Sequence, residues 1–364
     1  MIRSLLAATA VLALVSPVGA ADLGGNCCAD LEERVAELEA TTARKGNRKV
    51  TLTISGQVSR AILFVDSDHG MIDNANSPSR FSMMGEAKFS KDWSAGYLIE
   101  LGVGSAEDAN VASGGLTGVI GPAVGVAGLG ELVVRHNALW IGTPVGKVWL
   151  GHTSTATDSV VEITTANTNV AALPVGSWTG FDGARTQVLK YESQTLAGFT
   201  VSASWNDSLL SSTNGFDAAL RYADEVSGFR LAAGIGYADN DAGTTRVSGS
   251  ASAMHMATGL FLTAQAGRID GGAKMIGAMG GVERNFFGPG ASTLFVEWFQ
   301  GDDVTATISP LGILGVGPIP ELKVMGFGAI QNVSALGLDV FATYRQVDVG
   351  TKADVVLLGA RVKF

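Results

Sequence analysis

From residue 50 to the C-terminus, apolar and polar side chains alternate in short segments that turn residues separate. In the last segment one alternating set is apolar throughout and ends on an aromatic residue: Val356, Leu358, Ala360, Val362 and Phe364. The other set mixes apolar residues with Arg361 and Lys363. Because successive side chains of a β-strand point to opposite faces, this segment predicts a strand with one wholly apolar face.

The same alternation recurs in sixteen segments between residues 50 and 364. Turn-separated segments of about ten residues, apolar on one face and polar on the other, are typical of a transmembrane β-barrel. The sequence therefore predicts an all-β fold, a 16-stranded antiparallel transmembrane β-barrel over residues 50–364. We expect the last strand to pair with the first, because an open sheet edge in lipid leaves backbone groups unsatisfied. A barrel of eighteen strands is the alternative.

The connections between these segments differ in length at the two ends of the predicted barrel. Short turns fall near residues 143–146, 196–198 and 226–228, and long connections span 104–130 and 302–321, among others. In outer-membrane barrels the short turns are periplasmic and the long loops are extracellular. The pattern therefore predicts the orientation of the chain in the membrane, with two long, apolar external loops.

The first 49 residues follow a different pattern. A basic start, an apolar run of about eleven residues and small residues before position 21 predict a signal peptide over residues 1–20. Residues 21–49 then form a periplasmic segment with a short amphipathic helix, which we expect either to join a coiled coil between subunits or to lie on the barrel rim. Cys27 and Cys28 are the chain's two cysteines, so no disulfide framework is expected.

Composition and motifs narrow the function. Charged residues make up 16% of the chain and the formal net charge is −9, which argues against a nucleic-acid partner. The sequence contains no complete phosphate-binding loop, no His-Glu-x-x-His and no Gly-x-Ser-x-Gly motif. Its four histidines are scattered. We therefore predict no enzymatic activity, no cofactor and no metal site.

The connection at about residues 153–184 is long, polar and rich in threonine. Folded into a wide barrel, it would narrow the lumen and present Asp158, Glu162 and Asp182 as constriction-loop carboxylates. Basic side chains from strand interiors are expected to face it from the pore wall: Lys88, Arg135, Lys190, Arg221, Arg230 and Arg268. Opposed charges across a narrow aqueous pore select solutes by charge and polarity.

Three stretches resemble the alphaproteobacterial (Rhizobiales-type) outer-membrane porin family. They are residues 27–40 running into 50–58, residues 138–142 with 146–158, and residues 185–193 with 196–204. The resemblance implies a trimeric, 16-stranded channel in the outer membrane whose loop after Gly151 folds inward. It also implies that Asp158 and Glu162 belong to the constriction loop, and that the terminal Phe364 serves as an assembly signal.

We therefore expect an outer-membrane porin, a water-filled channel for passive diffusion of ions and small hydrophilic solutes. Its expected partners are outer-membrane lipid, two further copies in a homotrimer and, through the N-terminal segment, the periplasmic cell wall. One alternative is a solute-specific channel, for example for a sugar, which inward-facing Trp140 and Trp149 would favour. Another is a mainly structural barrel that tethers the membrane to the wall.

Overall fold

The computed structural model describes residues 50–74, 76–103, 132–173, 179–206, 215–240, 243–304, 307–308, 313–314 and 319–364. Three segments lie outside these ranges: the predicted signal peptide (1–20), the predicted N-terminal segment with its helix and cysteines (21–49), and the apolar connection 104–130. Within them, no helix has both the length and the apolar character needed to cross a membrane.

Sixteen strands form the wall of the barrel. They are β1 (Thr51–Val65), β2 (Arg80–Lys88), β3 (Ser94–Val103), β4 (Leu132–Thr143), β5 (Gly146–Ser154), β6 (Arg185–Ser193), β7 (Phe199–Asn206), β8 (Gly215–Val226), β9 (Phe229–Asn240), β10 (Thr244–His255), β11 (Leu260–Ile269), β12 (Lys274–Arg284), β13 (Ser292–Val304), β14 (Ile319–Val333), β15 (Leu338–Asp348) and β16 (Lys352–Lys363).

Neighbouring wall strands pair antiparallel, and the ring closes where β1 pairs with β16, from Gln57 opposite Lys363 to Val65 opposite Val355. The predicted closure of the first strand on the last is confirmed, with sixteen wall strands rather than eighteen. A further short strand, Asp68–Asp73, belongs to the same sheet and pairs with the second half of β1, on the edge whose first half pairs with β2. The predicted all-β architecture is therefore confirmed.

The outward face of the wall is apolar. On β1, Leu52, Ile54 and Val58 are 59%, 61% and 54% exposed, whereas the intervening Gln57 and the next inward residue, Ser59, are buried. An apolar exterior over a polar interior inverts the order of a water-soluble protein and suits a barrel surrounded by lipid. The alternation read from the sequence therefore has its predicted orientation.

Exposed aromatic residues gather at the end of the barrel that carries the short turns. They are Phe89, Trp93, Phe199, Phe229, Phe286, Phe287 and Phe364. Aromatic rings of this kind favour the boundary between hydrocarbon and water, because they are large and apolar and tolerate the wet interface. This set therefore marks one edge of the membrane-spanning surface.

One part of the interior is packed with apolar side chains. On the long-loop halves of β1 and β13–β16, the inward residues are at most 5% exposed: Leu63, Val65, Val304, Leu322, Val324, Val347, Val355 and Leu357. Here the inward face carries apolar side chains, which differs from the expected polar interior. We call this group the inner apolar cluster; it packs like the core of a soluble domain.

Candidate functional site

The loop between β5 and β6 lies inside the barrel along the inner wall. Backbone N–H groups along the loop donate hydrogen bonds to side chains of wall strands between β8 and β13. The pairs are Thr157 with Asp217 (2.8 Å), Ile163 with Ser250 (3.1 Å), Thr165 with Ser252 (3.0 Å), Asn167 with Glu283 (2.6 Å) and Leu173 with Glu297 (2.9 Å). These bonds satisfy backbone groups that would otherwise lack partners in a confined interior. They keep the loop in the lumen, where the sequence predicts it.

Wall glycines make room for this loop. A Cβ added at Gly267 would lie 2.5 Å from Phe181, and one added at Gly236 would lie 2.7 Å from Thr157. Val160, between these two loop residues, is fully buried against the wall. The loop therefore packs directly on the backbone of the strands.

The loop tip is anchored on the far side of the lumen. Asn74 donates its side-chain amide to the carbonyl of Val170 at 2.8 Å, and Arg345 donates to the carbonyl of Ala171. Arg345 also pairs with Glu297 at 2.6 Å, and these two side chains are only 2% and 7% exposed. Such a buried ion pair is stable only with all its hydrogen bonds in place, so it couples the loop tip to β13 and β15.

Asp158 and Glu162 line a polar cavity of about 460 Å³ between the loop and the opposite wall. The Asp158 carboxylate lies 3.9 Å from the Arg185 guanidinium and accepts a hydrogen bond from the Ser154 hydroxyl. Both carboxylates thus face the water path from the loop side.

Arginines line the same cavity from the wall. They are Arg80 on β2, Arg135 on β4, Arg185 on β6 and Arg361 on β16. Arg135 lies at a β-bulge, where the register between β3 and β4 shifts by one residue, and it pairs with Glu100 at 2.7 Å. A bulge redirects a side chain relative to its neighbours. The cavity therefore has an acidic side and a basic side, which places a transverse field across the water path.

Asp182 has a different role from the other two loop acids. It is buried, and its carboxyl group accepts hydrogen bonds from the backbone N–H groups of Ser159 (2.7 Å) and Val160 (3.0 Å). Burial, together with the nearby charges of Glu162 and Asp158, raises the pKa of Asp182 to about 8, against the opposing effect of the backbone hydrogen bonds. Asp182 therefore holds the loop base together and does not line the cavity.

This pKa predicts a pH-dependent selectivity. Because folding raises the pKa of Asp182, the folded loop becomes less stable as pH rises towards 8. Above that pH Asp182 is ionised, and the loop carries one more negative charge. We expect the reversal potential in a salt gradient to shift towards cation preference between about pH 6.5 and about pH 9.5. The Asp182→Asn variant should lose this shift; an unchanged shift in the variant would assign it to other groups.

The six wall cations expected from the sequence fall into different places. Arg135 lines the cavity, Arg221 holds the carbonyl of Asp158 at 2.7 Å, and Lys190 is buried with its ammonium 5.7 Å from the Trp149 ring centre. Lys88 and Arg230 lie at the short-turn end of the barrel. Contrary to the expectation, Arg268 lies on the outer face, directly opposite Val247, which is 45% exposed there.

Five arginines of the described interior were not expected from the sequence: Arg80, Arg185, Arg246, Arg345 and Arg361. Arg246 donates to the hydroxyl of Thr157 at 3.0 Å and so also secures the loop. Arg361 shares the mixed, inward set of the last strand, and Arg80 alternates in phase with Ser82, which bonds Glu100. The alternation of side chains along each strand could have identified Arg361 and Arg80 as inward. It could not have shown how far either residue lies from the loop.

Trp140 points inward but is only 2% exposed, between the outward Leu139 and Ile141. Its ring lies 6.1 Å from that of Trp149, and the Lys147 ammonium covers it at 4.4 Å. A sugar-binding stack needs an accessible ring face, which Trp140 does not offer. In the part of the chain that the structure covers, no group of three or more His, Cys, Asp or Glu could hold a metal ion.

The comparisons with known proteins agree with this architecture. A model of the Gram-negative porin family matches residues 8–352. The structure resembles an anion-selective porin from Comamonas acidovorans (14% identity, 86% of this chain and 100% of that one, TM-score 0.60). It also resembles the outer membrane protein OmpT of Vibrio cholerae (13%, 88% and 99%, TM-score 0.59) and OmpF of Salmonella typhi (13%, 87% and 98%, TM-score 0.58). No curated protein matches the sequence.

Proposed function

Because the chain belongs to the Gram-negative porin family, we propose that it passes ions and small hydrophilic solutes through the cavity between its acidic loop and its arginine-bearing wall. As a porin of the outer membrane, it forms a channel for passive diffusion. The observation that carries the proposal is the pairing of Asp158 and Glu162 on the loop with the arginines across the cavity. No bond is made or broken in this function, and we assign no catalytic role to any residue.

Liposomes reconstituted with the purified protein test the channel itself. We expect them to swell in isosmotic solutions of small sugars and to show a steady single-channel conductance in salt. Protein-free liposomes and liposomes with heat-unfolded protein are the controls. Vesicles that stay sealed although they contain folded barrels would rule the proposal out.

Neutralising the loop carboxylates tests the position of the selective region. The Asp158→Asn, Glu162→Gln double variant leaves the arginines in excess around the cavity. The ratio of anion to cation permeability, obtained from the reversal potential in a salt gradient, should therefore rise several-fold. A matched control is Glu225→Gln, which removes a carboxylate at the short-turn end, where Glu225 pairs with Arg230 at 3.1 Å. Equal shifts in both variants would place the selective region elsewhere.

A strictly solute-specific channel is the less favoured alternative, since Trp140 is covered and the cavity is lined by several charges of both signs. We further propose a homotrimer, as one structure of the Vibrio cholerae OmpT is described in a trimer form. The assignment to alphaproteobacterial porins rests on the sequence stretches named above. The cleaved signal peptide, the N-terminal helix and the contact with the cell wall also remain proposals from the sequence.

A further inference from the structure

The wall is interrupted between the short strand Asp68–Asp73 and β2, which pair with the same edge of β1. Asp73 lies opposite Arg60, and Arg80 lies opposite Gln57. Between these two pairs β1 has two residues, whereas the facing chain has six, residues 74–79. An antiparallel ladder cannot hold four surplus residues without a bulge. We call the described part of this segment, residues 74 and 76–79, the strand interruption.

The strand interruption lies on the inner side of the wall. Asn76, Ser77 and Pro78 line the cavity between the loop and the wall, and Asn74 is only 1% exposed. Proline within a sheet is confined to edges and bulges because it has no N–H, and amide and hydroxyl groups are costly in lipid. The composition of this segment therefore suits the wet interior and not the outer surface.

Both ends of the strand interruption are fixed to Ser59 on β1. The Asn74 N–H donates to the carbonyl of Ser59 at 3.2 Å, and the Ser59 N–H donates to the hydroxyl of Ser79 at 3.0 Å. The Asp73 carboxylate accepts hydrogen bonds from the N–H of Ser79 at 3.0 Å and from its hydroxyl at 2.6 Å. Buried polar groups paired in this way hold a segment in one arrangement. The strand interruption is therefore a folded part of the wall.

Two side-chain amides of the strand interruption hold the loop tip. Asn74 donates to the carbonyl of Val170 at 2.8 Å, and Asn76 donates to the carbonyl of Ala171 at 3.2 Å. The Asn76 N–H also donates to the side-chain oxygen of Asn74 at 3.1 Å, which orients the Asn74 amide. Arg345 donates to the same Ala171 carbonyl. Two consecutive carbonyls at the loop tip are thus held by side chains that the wall positions.

The strand interruption also contacts the basic side of the cavity. The Ser77 hydroxyl accepts a hydrogen bond from Arg361 at 2.7 Å, and Arg361 is buried. The side-chain amide of Gln57 donates to the carbonyls of Ser77 and Pro78 at 3.0 Å and 2.9 Å, which keeps Ser77 in place. The segment therefore joins the loop that carries the acids to the wall that carries the arginines.

We propose that the strand interruption is a second constriction element of the channel, and that Asn74 and Asn76 are positioning residues for permeation. This inference rests on the proposed function, because it assigns residues to the same water path. The two amides fix the loop tip at a set distance from the arginines, and the width of a pore at its narrowest region determines what passes. A second wall strand without surplus residues would lack this anchor.

The Asn74→Leu, Asn76→Leu variant tests the two amides. Leucine keeps a similar side-chain size but cannot donate to the loop carbonyls. We expect the single-channel conductance to rise about twofold, with fluctuations between levels, because the loop tip is released from this side. The matched control is Asn285→Leu in a turn at the short-turn end, where Asn285 donates to the carbonyl of Gly288 at 3.2 Å and accepts its N–H at 2.6 Å. The control removes bonds of the same kind away from the loop and should conduct like wild type.

Deleting residues 75–78 tests the segment as a whole. Two residues then remain opposite two on β1, so the strand can continue in regular register. Conductance should rise at least as much as in the amide variant. The ratio of anion to cation permeability should rise as well, because Arg361 loses its cover of Ser77 and Pro78.

Heat-modifiable gel mobility confirms that each full-length variant is folded before it is recorded in planar bilayers. A folded amide variant with the conductance and the single level of wild type would overturn the inference, whatever the deletion does. An equal change in Asn285→Leu would overturn it too, since the effect would then come from general destabilisation. Failure of the wild-type protein to conduct would instead overturn the proposed function, so the two failures are distinguishable.

Discussion

Replacing Arg345 by methionine should lower the free energy of unfolding by about 3–5 kcal/mol and raise the single-channel conductance. The substitution leaves the Glu297 carboxylate buried without its partner, which is the costly half of a broken buried ion pair. It also removes the hydrogen bond to the carbonyl of Ala171 at the loop tip. The bond of Asn74 to Val170 remains, but the tip is held less firmly, so the loop should move towards its own wall and widen the water path.

A second substitution separates these two effects. In the Arg345→Met, Glu297→Met double variant neither charge of the buried pair remains, so we expect most of the stability to return. The raised conductance should persist, because the bonds of Arg345 and Glu297 to the loop are both lost. Lys323→Met serves as the matched control, since it breaks an exposed pair that contributes little to stability. Thermal or denaturant unfolding and planar-bilayer recording supply the two readouts. A double variant as unstable as the single one would show that the buried charge is not the cause.

Replacing Gly267 by valine should displace the loop from the wall. The added Cβ alone would lie 2.5 Å from Phe181, which is fully buried. Overpacking of this kind costs about 1–3 kcal/mol, and moving the returning arm of the loop relieves it. We therefore expect a lower unfolding temperature together with a conductance that fluctuates between several levels.

Gly280→Val is the control for that experiment. Gly280 faces outward on the neighbouring strand, and a Cβ there meets its nearest atoms at 3.5 Å and 3.6 Å, which is ordinary contact. This variant should keep the wild-type conductance and its single level. If both glycine variants behaved alike, the effect would come from β-strand propensity and not from loop packing.

Much of the fold follows from the alternation of side chains, because each face of a lipid-embedded strand meets one uniform medium. Because Leu52 and Ile54 face lipid, the alternation requires Gln57 to face the interior, and the same argument applies to the other wall strands. The same alternation predicts the outward face for Arg268, because this residue lies an even number of positions from the outward Leu260 and Leu262. The expectation that it lines the pore overlooked that phase.

The candidate site was less predictable, because it depends on height along the barrel and on contacts between distant segments. Asp158 and Glu162 line the cavity from the predicted loop, but the burial of Asp182 depends on the backbone N–H groups of Ser159 and Val160, which only the folded loop turns towards it. The anchor between Ala171 and Arg345 joins residues 174 positions apart. No local sequence pattern around Ala171 or Arg345 predicts that contact.

The inner apolar cluster has a consequence for the chain before it reaches the membrane. Val355 and Leu357 point inward while Val356 and Leu358 point outward, so this run of β16 is apolar on both faces. An exported chain crosses the aqueous periplasm unfolded, and a short β-prone run without charge is then a site of aggregation. The feature that packs the finished interior therefore makes this stretch a part of the chain that needs protection during transit.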